Sequence, residues 1–291
     1  CEYLGRFIGL GNPLLYKNDS LVGYRLRPNQ SIRRLKSSIV TTDFEGFRID
    51  PNQKKDLSSE IIVFIGDSVT YGGSYIDDSE LFSSIFCADS INLSCLNSGV
   101  NAWGTYNMGR FISNFSFYSD RIPSRIILVI LPGDDTRNLQ HLSSLPYWST
   151  SPKYPKAINE LLNYALWKYM IPNLRSNKIK DQEDILKEQD IKYQTIKHSW
   201  KALDDYIKSS QSKVEIVLTP PKSWFEGSHI SEKKLYANYL SMLSLNPNVI
   251  KTCNLYNFIK DQYSSTDYVD SVHLSKSGHK KWAKYIKSCI N

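Results

Sequence analysis

The chain has 291 residues, of which 41% are hydrophobic and 22% are charged, so its composition is that of a globular protein with a sizeable core. This composition excludes a disordered chain, a collagen and a coiled coil. Lys, Asp, Asn or Ser interrupts every apolar run before it reaches the roughly 20 residues that a membrane helix needs.

The 36 basic and 29 acidic residues leave a net charge of +7, and two segments hold most of the excess. Residues 20–42 and residues 276–291 each contain five cations and no acid. We interpret the first segment as a solvated loop and the second as the exposed face of a final helix. An anionic polysaccharide or a lipid head group is the alternative partner, and without a binding motif we expect no nucleic acid. The cations of the first segment are Arg25, Arg27, Arg33, Arg34 and Lys36.

Five cysteines are spaced like no metal-binding class, so we expect no zinc site and at most two disulfides. The sequence begins at Cys1, without an initiator methionine or a signal peptide, and we expect a processed form of a longer chain. A lipidated Cys1, or a membrane helix removed upstream, would place the protein outside the bacterial cytoplasm, in the periplasm or anchored to the membrane. A cytoplasmic protein is the alternative. The other cysteines are Cys87, Cys95, Cys253 and Cys289.

Alternating strand and helix patterns run through residues 59–291, after an N-terminal extension, residues 1–58, that we interpret as irregular with room for a short hairpin. Short apolar runs predict strands near 61–65, 91–96, 125–131, 214–218 and 248–253. Helical patterns lie near 79–89, 104–117, 232–244 and 276–289. The alternation predicts an α/β fold, a three-layer α/β/α sandwich with a central, mainly parallel sheet of flavodoxin-like type. Residues 139–213 interrupt it as a helical, cap-like insertion beside the active edge.

Reactive side chains in such a fold gather beyond the carboxyl ends of the strands. Gly66-Asp67-Ser68 follows the first core strand, which places Ser68 at the start of a helix, where free N–H groups favour an anion. Asp270 lies three residues before His273, so its carboxylate can orient the imidazole of a general base. The remaining histidines, His141, His198, His229 and His279, are predicted to have surface or packing roles.

These motifs resemble the SGNH or GDSL hydrolases, a family of esterases, acetylhydrolases and acyltransferases, over about residues 60 to 290. Gly66-Asp67-Ser68 is similar to the first family block and Asp270-Ser271-Val272-His273 to the last. The resemblance implies Ser68 as nucleophile, His273 as base and Asp270 as its orienting partner. The segments Gly23 to Asn29 and Gly46 to Arg48 also resemble the lead-in of members associated with bacterial envelope polysaccharides.

The resemblance further implies an oxyanion hole made by Ser68, Ala102 and Asp134, and two of these positions depart from the family pattern. Ala102 replaces a glycine, which keeps the N–H but resists a positive φ. Asp134 replaces an asparagine, and an ionised carboxylate there would repel the oxyanion. Asp134 could be protonated and donate like an amide, it could be turned away while Asn101 or Asn138 substitutes, or the site could bind acylated sugars without turning them over.

Nearby side chains are candidates for substrate contact, namely Asn101, Trp103, Asp135 and Asn138. Aromatic residues in the presumed cap and cleft loops fit a carbohydrate substrate, although core packing explains them equally well. These aromatic residues are Tyr71, Tyr75, Trp103, Tyr147, Trp148 and Trp224. We therefore expect a serine esterase that removes or transfers an O-acyl group, such as acetyl, on an envelope carbohydrate or another small ester, without a metal or organic cofactor. The alternative is a weakened module that binds a polysaccharide or a partner protein.

Overall fold

A computed structural model describes residues 2–34, 38–53, 59–144, 156–165 and 182–290 of the chain. Five parallel strands form the central sheet in the order β6-β5-β7-β8-β9. The strands are β1 (Tyr16–Asp19), β2 (Gly23–Leu26), β3 (Ser31–Arg33), β4 (Ile39–Thr41), β5 (Glu60–Gly66), β6 (Leu93–Gly99), β7 (Arg125–Ile130), β8 (Val214–Leu218) and β9 (Val249–Asn254). This strand order is the flavodoxin-like one.

Helices cover both faces of the sheet, which confirms the predicted three-layer α/β/α architecture. The helices are α1 (Glu2–Phe7), α2 (Ser68–Tyr71), α3 (Phe82–Ala88), α4 (Thr105–Ser113), α5 (Ala157–Ala165), α6 (Gln182–Lys208), α7 (Ser223–Glu226), α8 (Ile230–Leu243), α9 (Tyr256–Ile259) and α10 (Lys276–Ile290). Alternate side chains of β5 enter opposite core layers, Val63 and Ile65 with α4, α6 and α8, and Ile62 and Phe64 with α3 and α10. The apolar run of β5 is therefore buried on both faces, as its sequence predicts.

The N-terminal residues are more ordered than their sequence suggests. Strands β1 and β2 form one antiparallel hairpin, and β3 and β4 form another. The backbone of Arg48 exchanges two hydrogen bonds with that of Asn97, of 2.8 and 3.1 Å, on the outer side of β6. The N-terminal region thereby covers an edge of the main sheet that would otherwise have unpaired backbone groups.

The prediction of a solvated basic loop is wrong for two of its arginines. Arg34 is buried and its Nη2 lies 2.5 Å from Oε1 of Glu160, and Arg25 pairs with Asp19 at 3.2 Å. Their side chains are only 9% and 15% exposed. Both arginines therefore pair with acids of the same chain. Local sequence patterns cannot reveal the pair of Arg34, because Glu160 lies 126 residues away. Lys36 lies outside the described residues.

The segment expected to be a cap-like insertion contributes a helix, α6, to one of the two helical layers that cover the sheet. In α6, Ile196, Trp200, Leu203 and Ile207 are buried in the core layer that also contains α4. The indole of Trp200 stacks on the ring of Tyr239 with centroids 4.8 Å apart. The C-terminal half of α6 therefore packs against the body of the fold. Tyr147 and Trp148, two of the candidate cap aromatics, lie outside the described residues.

Two disulfides link helices to neighbouring strands. Cys87 of α3 is bonded to Cys95 of β6, and Cys253 of β9 to Cys289 of α10. This equals the maximum of two bridges set by the sequence. Over the described ranges, no helix combines the length and the apolarity that crossing a membrane requires. The same residues contain no group of three His, Cys, Asp or Glu side chains arranged to hold a metal ion.

Candidate active site

Ser68 lies at the carboxyl end of β5 as the first residue of the short helix α2. The side chain of Asp67 caps this helix by accepting a hydrogen bond of 2.8 Å from the N–H of Val69. Gly66 makes the tight turn possible, because a Cβ atom there would lie 2.0 Å from Oγ1 of Thr70 and 2.7 Å from the carbonyl oxygen of Val129. The hydroxyl of Ser68 is held at the top of the sheet by these local interactions.

The structure brings together the three residues at which the motifs point. Oγ of Ser68 lies 2.8 Å from Nε2 of His273, and Nδ1 of His273 lies 2.7 Å from Oδ2 of Asp270. If Nδ1–H donates to the carboxylate, Nε2 is left as the acceptor for the serine proton. The arrangement can therefore activate a serine hydroxyl by general-base catalysis.

A tight loop holds the imidazole and the carboxylate in register. Oδ1 of Asp270 accepts hydrogen bonds from the N–H groups of Val272 (2.9 Å) and His273 (2.8 Å). Desolvation opposes ionisation of Asp270, but these two N–H donors and the imidazole together lower the pKa of its carboxyl below the ordinary value. The side chains of Asp270 and His273 are 51% and 29% exposed, so the site opens directly to solvent.

The loop after β6 carries the candidate oxyanion donor Ala102. Its φ of +63° places an alanine in the left-handed region, which costs roughly 1 to 2 kcal/mol relative to a right-handed conformation. The carbonyl oxygen of Asn101 accepts a 2.6 Å hydrogen bond from the hydroxyl of Tyr24. Among the described residues, the N–H groups of Ser68 and Ala102 donate to no backbone or side-chain acceptor. Both remain available to a ligand.

Asp134, the expected third oxyanion residue, is completely buried. Its Oδ2 accepts a 2.9 Å hydrogen bond from the N–H of Leu131, and its Oδ1 accepts one of 2.9 Å from Nη1 of Arg137. Burial and the neighbouring carboxylate of Asp67 raise the pKa of Asp134 well above its ordinary value, while Arg137 opposes the rise. Both carboxyl oxygens of Asp134 thus accept hydrogen bonds from the protein. The positive charge of Arg137 offsets the negative charge of a carboxylate at this position, which the sequence alone did not explain.

Asp135 and Trp103, two candidates for substrate contact, are structural residues instead. Asp135 is buried and accepts hydrogen bonds from the indole of Trp200 (2.6 Å) and the hydroxyl of Tyr236 (3.0 Å). Trp103 is also buried, and its indole donates to the carbonyl oxygen of Tyr24 at 2.9 Å. Although Asp135 and Trp103 lie close to the motifs in the sequence, their side chains are therefore not part of the open site.

The remaining candidates divide between the surface and the core. Asn138 is exposed and its carbonyl oxygen accepts from the side chain of Gln140, whereas Asn101 is half-buried. Tyr71 and Trp224 are buried in the core layers, so packing explains both. Tyr75 is half-buried and its hydroxyl donates to the carbonyl oxygen of Leu274, next to His273. His279, expected to have a surface or packing role, is completely buried, and its Nδ1 accepts a hydrogen bond of 3.2 Å from the N–H of Phe82.

Arg137 is the residue of this region that the motifs did not single out. Its Nη1 donates to Oδ1 of Asp134 (2.9 Å) and to the carbonyl oxygen of Trp103 (2.8 Å), and it lies 3.5 Å from Oδ2 of Asp67. One cationic nitrogen therefore joins the segments that follow β5, β6 and β7. The only signal in the sequence is a cation placed three residues after the unexpected Asp134.

Comparison with known proteins finds no family model and no curated protein that matches the sequence. Among solved structures, the chain is similar to a member of the lipolytic protein G-D-S-L family from Veillonella parvula, with 17% identity, a TM-score of 0.45, and coverage of 79% of this chain and 97% of that one. It is also similar to an acetylxylan esterase, Axe2, from Geobacillus stearothermophilus, with 12% identity, a TM-score of 0.48, and coverage of 80% and 95%.

Proposed function

We propose that the protein is a serine ester hydrolase in which Ser68, His273 and Asp270 act together. The observation that carries the proposal is the continuous pair of contacts, 2.8 Å from Ser68 Oγ to His273 Nε2 and 2.7 Å from His273 Nδ1 to Asp270 Oδ2. Such a chain of hydroxyl, imidazole and carboxylate is the arrangement that activates serine in acyl transfer on several unrelated folds.

In the first half-reaction, Oγ of Ser68 attacks the ester carbonyl carbon while Nε2 of His273 takes the hydroxyl proton. Asp270 stabilises the imidazolium, and the free N–H groups of Ser68 and Ala102 stabilise the oxyanion of the tetrahedral intermediate. The imidazolium then donates its proton to the departing alkoxide oxygen, which leaves as an alcohol. The acyl group remains on Ser68.

In the second half-reaction, a water molecule gives a proton to Nε2 and attacks the acyl carbonyl, and the acid leaves as Ser68 regains its proton. A sugar hydroxyl in place of water would give an acyl transfer by the same steps. The open position of His273 and Asp270 allows the ester of a large molecule to approach. We therefore propose an O-acyl group, such as acetyl, on an envelope carbohydrate as the substrate.

The two disulfides support a location outside the cytoplasm, because cytosolic thiols are kept reduced in most organisms. Alkylation of the protein as it is isolated from cells tests this part of the proposal. Cys87, Cys95, Cys253 and Cys289 should resist the reagent until a reductant is added. Immediate alkylation of all four would contradict an extracytoplasmic location.

Hydrolysis of a chromogenic acetate ester tests the proposed activity. The unmodified protein should turn the ester over, and Ser68→Ala should abolish turnover without loss of folding. Ser241→Ala, which changes an exposed serine of α8, is the matched control and should keep full activity. The non-catalytic alternative predicts that the unmodified protein and both variants hydrolyse the ester at the same background rate, while the unmodified protein still binds acetylated glycans. A panel of acetylated glycans, with and without an acceptor sugar, then identifies the substrate and the direction of transfer.

A further inference from the structure

The peptide unit between Asn101 and Ala102 has two polar groups, a carbonyl and an N–H, that have different partners. Its carbonyl oxygen accepts the hydroxyl of Tyr24 at 2.6 Å, and its N–H is the proposed oxyanion donor. The carbonyl and the N–H of a trans peptide lie in one plane and point in opposite directions. A hydrogen bond that fixes the carbonyl therefore also fixes the direction of the N–H.

Tyr24 is well placed for such a role. It lies in β2, its side chain is completely buried, and its ring packs edge-on against that of Tyr16 with centroids 5.8 Å apart. Burial raises the pKa of its phenol above the ordinary value of tyrosine, so the hydroxyl stays protonated and remains a donor. A donor on the carbonyl also polarises the peptide and strengthens the N–H at its other end.

Arg137 holds the same loop two peptide units further along the chain. Its Nη1 donates to the carbonyl oxygen of Trp103 at 2.8 Å, while the indole of Trp103 donates to the carbonyl oxygen of Tyr24 at 2.9 Å. The side chain of Arg137 is itself held by Asp134 at 2.9 Å. Ala102 is thus flanked by two carbonyl groups whose positions are fixed by side chains from elsewhere in the fold.

The loop needs this support because Ala102 has a φ of +63°, which an alanine rarely adopts. Without the two donors, Ala102 would relax toward negative φ, and its N–H would turn away from the oxyanion position. A glycine at this position would populate the left-handed conformation readily. The substitution of glycine by alanine, unexplained by the sequence, is thereby compensated by contacts.

We propose that Tyr24 and Arg137 are positioning residues that keep the N–H of Ala102 directed at the oxyanion. The N-terminal hairpin of β1 and β2 is then part of the catalytic apparatus. This inference rests on the proposed esterase function. Neither side chain touches the substrate, and both act through the backbone of residues 101–103.

Tyr24→Phe tests the inference, because it removes one hydroxyl and keeps the ring. We expect kcat for the chromogenic acetate ester to fall about tenfold while KM changes less than about twofold, since the lost contact acts on the transition state. Tyr285→Phe is the matched control. It removes another buried tyrosine hydroxyl, which donates to the side chain of Gln262 and lies in α10, outside the N-terminal hairpin, and should leave kcat unchanged.

Ala102→Gly separates positioning from general loss of stability. In the Tyr24→Phe background it should restore most of the lost kcat, because glycine adopts the left-handed conformation without support. Arg137→Gln should lower kcat in the same way and should also be partly rescued by Ala102→Gly. An unchanged kcat in Tyr24→Phe, or a loss that Ala102→Gly does not reduce, would overturn the inference. Both results presuppose activity that Ser68→Ala abolishes, so failure of the proposed function itself would be recognised first.

Discussion

Nη1 of Arg137 lies 2.9 Å from Oδ1 of Asp134, at a position where the family resemblance implies an asparagine amide. The carboxyl of Asp134 is completely buried and accepts a second hydrogen bond from the N–H of Leu131. A carboxylate can satisfy both donors, whereas an amide has a single acceptor oxygen. The aspartate is therefore suited to this site, although an isolated carboxylate would disfavour an oxyanion.

We predict that Asp134→Asn lowers activity at neutral pH and does not improve it. The amide nitrogen would face either Arg137 or the N–H of Leu131, and a buried donor left without an acceptor costs about 1 to 3 kcal/mol of stability. The folded protein should also be slower, because a neutral amide holds the guanidinium of Arg137 less firmly than a carboxylate does, and Arg137 in turn holds the carbonyl oxygen of Trp103 beside Ala102. Initial rates on the acetate ester, corrected for the folded fraction, measure the effect.

Asp135→Asn is the control for that substitution. Asp135 is equally buried but bonds to Trp200 and Tyr236, so the change should lower stability while the folded fraction keeps its kcat. A faster Asp134→Asn enzyme at neutral pH would show that the carboxylate impedes the reaction. The role assigned to the pair with Arg137 would then be wrong.

Acid sensitivity should arise in part from His279. Burial, followed by the charge of Arg48, lowers the pKa of His279 from 6.5 to about 3. Between pH 6.5 and about pH 3, His279 is protonated in the unfolded chain but not in the folded protein. The free energy of unfolding therefore decreases as the pH falls below 6.5. His279→Gln should be less stable at pH 7 but should lose less stability between pH 7 and pH 4.

Urea denaturation at the two pH values measures this difference. His198→Gln, which changes an exposed histidine of α6, is the control and should keep the pH dependence of the unmodified protein. If His279→Gln and the unmodified protein lose the same free energy of unfolding between pH 7 and pH 4, the buried imidazole does not contribute to the acid sensitivity.

The two disulfides should contribute unequally to stability. Cys253–Cys289 closes a segment with a sequence separation of 36, whereas Cys87–Cys95 spans only 8 residues. In the loop-entropy picture the longer bridge contributes about 4 kcal/mol and the shorter about 2.5 kcal/mol. Paired Cys→Ser variants, compared by denaturant unfolding under oxidising conditions, test this order. A larger loss from the shorter bridge would reject the entropic explanation.

The core strands and the motifs that contain Ser68 and His273 were predictable because their signals are local. A run such as Ile61 to Ile65 indicates a buried strand by itself, and Ser68 and His273 each belong to a short motif whose chemistry is clear. The strand alternation then places both motifs at one edge of the sheet. These predictions needed no knowledge of distant contacts.

The supporting residues were not predictable because their contacts are distant in sequence. Tyr24 meets Asn101 across 77 positions, and Arg34 meets Glu160 across 126. A tyrosine or tryptophan beside a motif looks the same in the sequence whether its side chain contacts a sugar or fills the core. Trp103 fills the core, because its indole donates a hydrogen bond to the carbonyl oxygen of Tyr24 in β2. That contact depends on how the N-terminal hairpin packs, which the sequence near Trp103 does not indicate.

The most direct test of the central claim is covalent labelling of Ser68 by a fluorophosphonate probe, which reacts with a serine only when a base activates the hydroxyl. We expect one phosphonylated residue, Ser68, with loss of fluoride, and we expect labelling to be nearly abolished in His273→Ala. Absence of the adduct on Ser68 in the folded protein, or equal labelling of His273→Ala, would contradict an imidazole-activated nucleophile at this edge of the sheet.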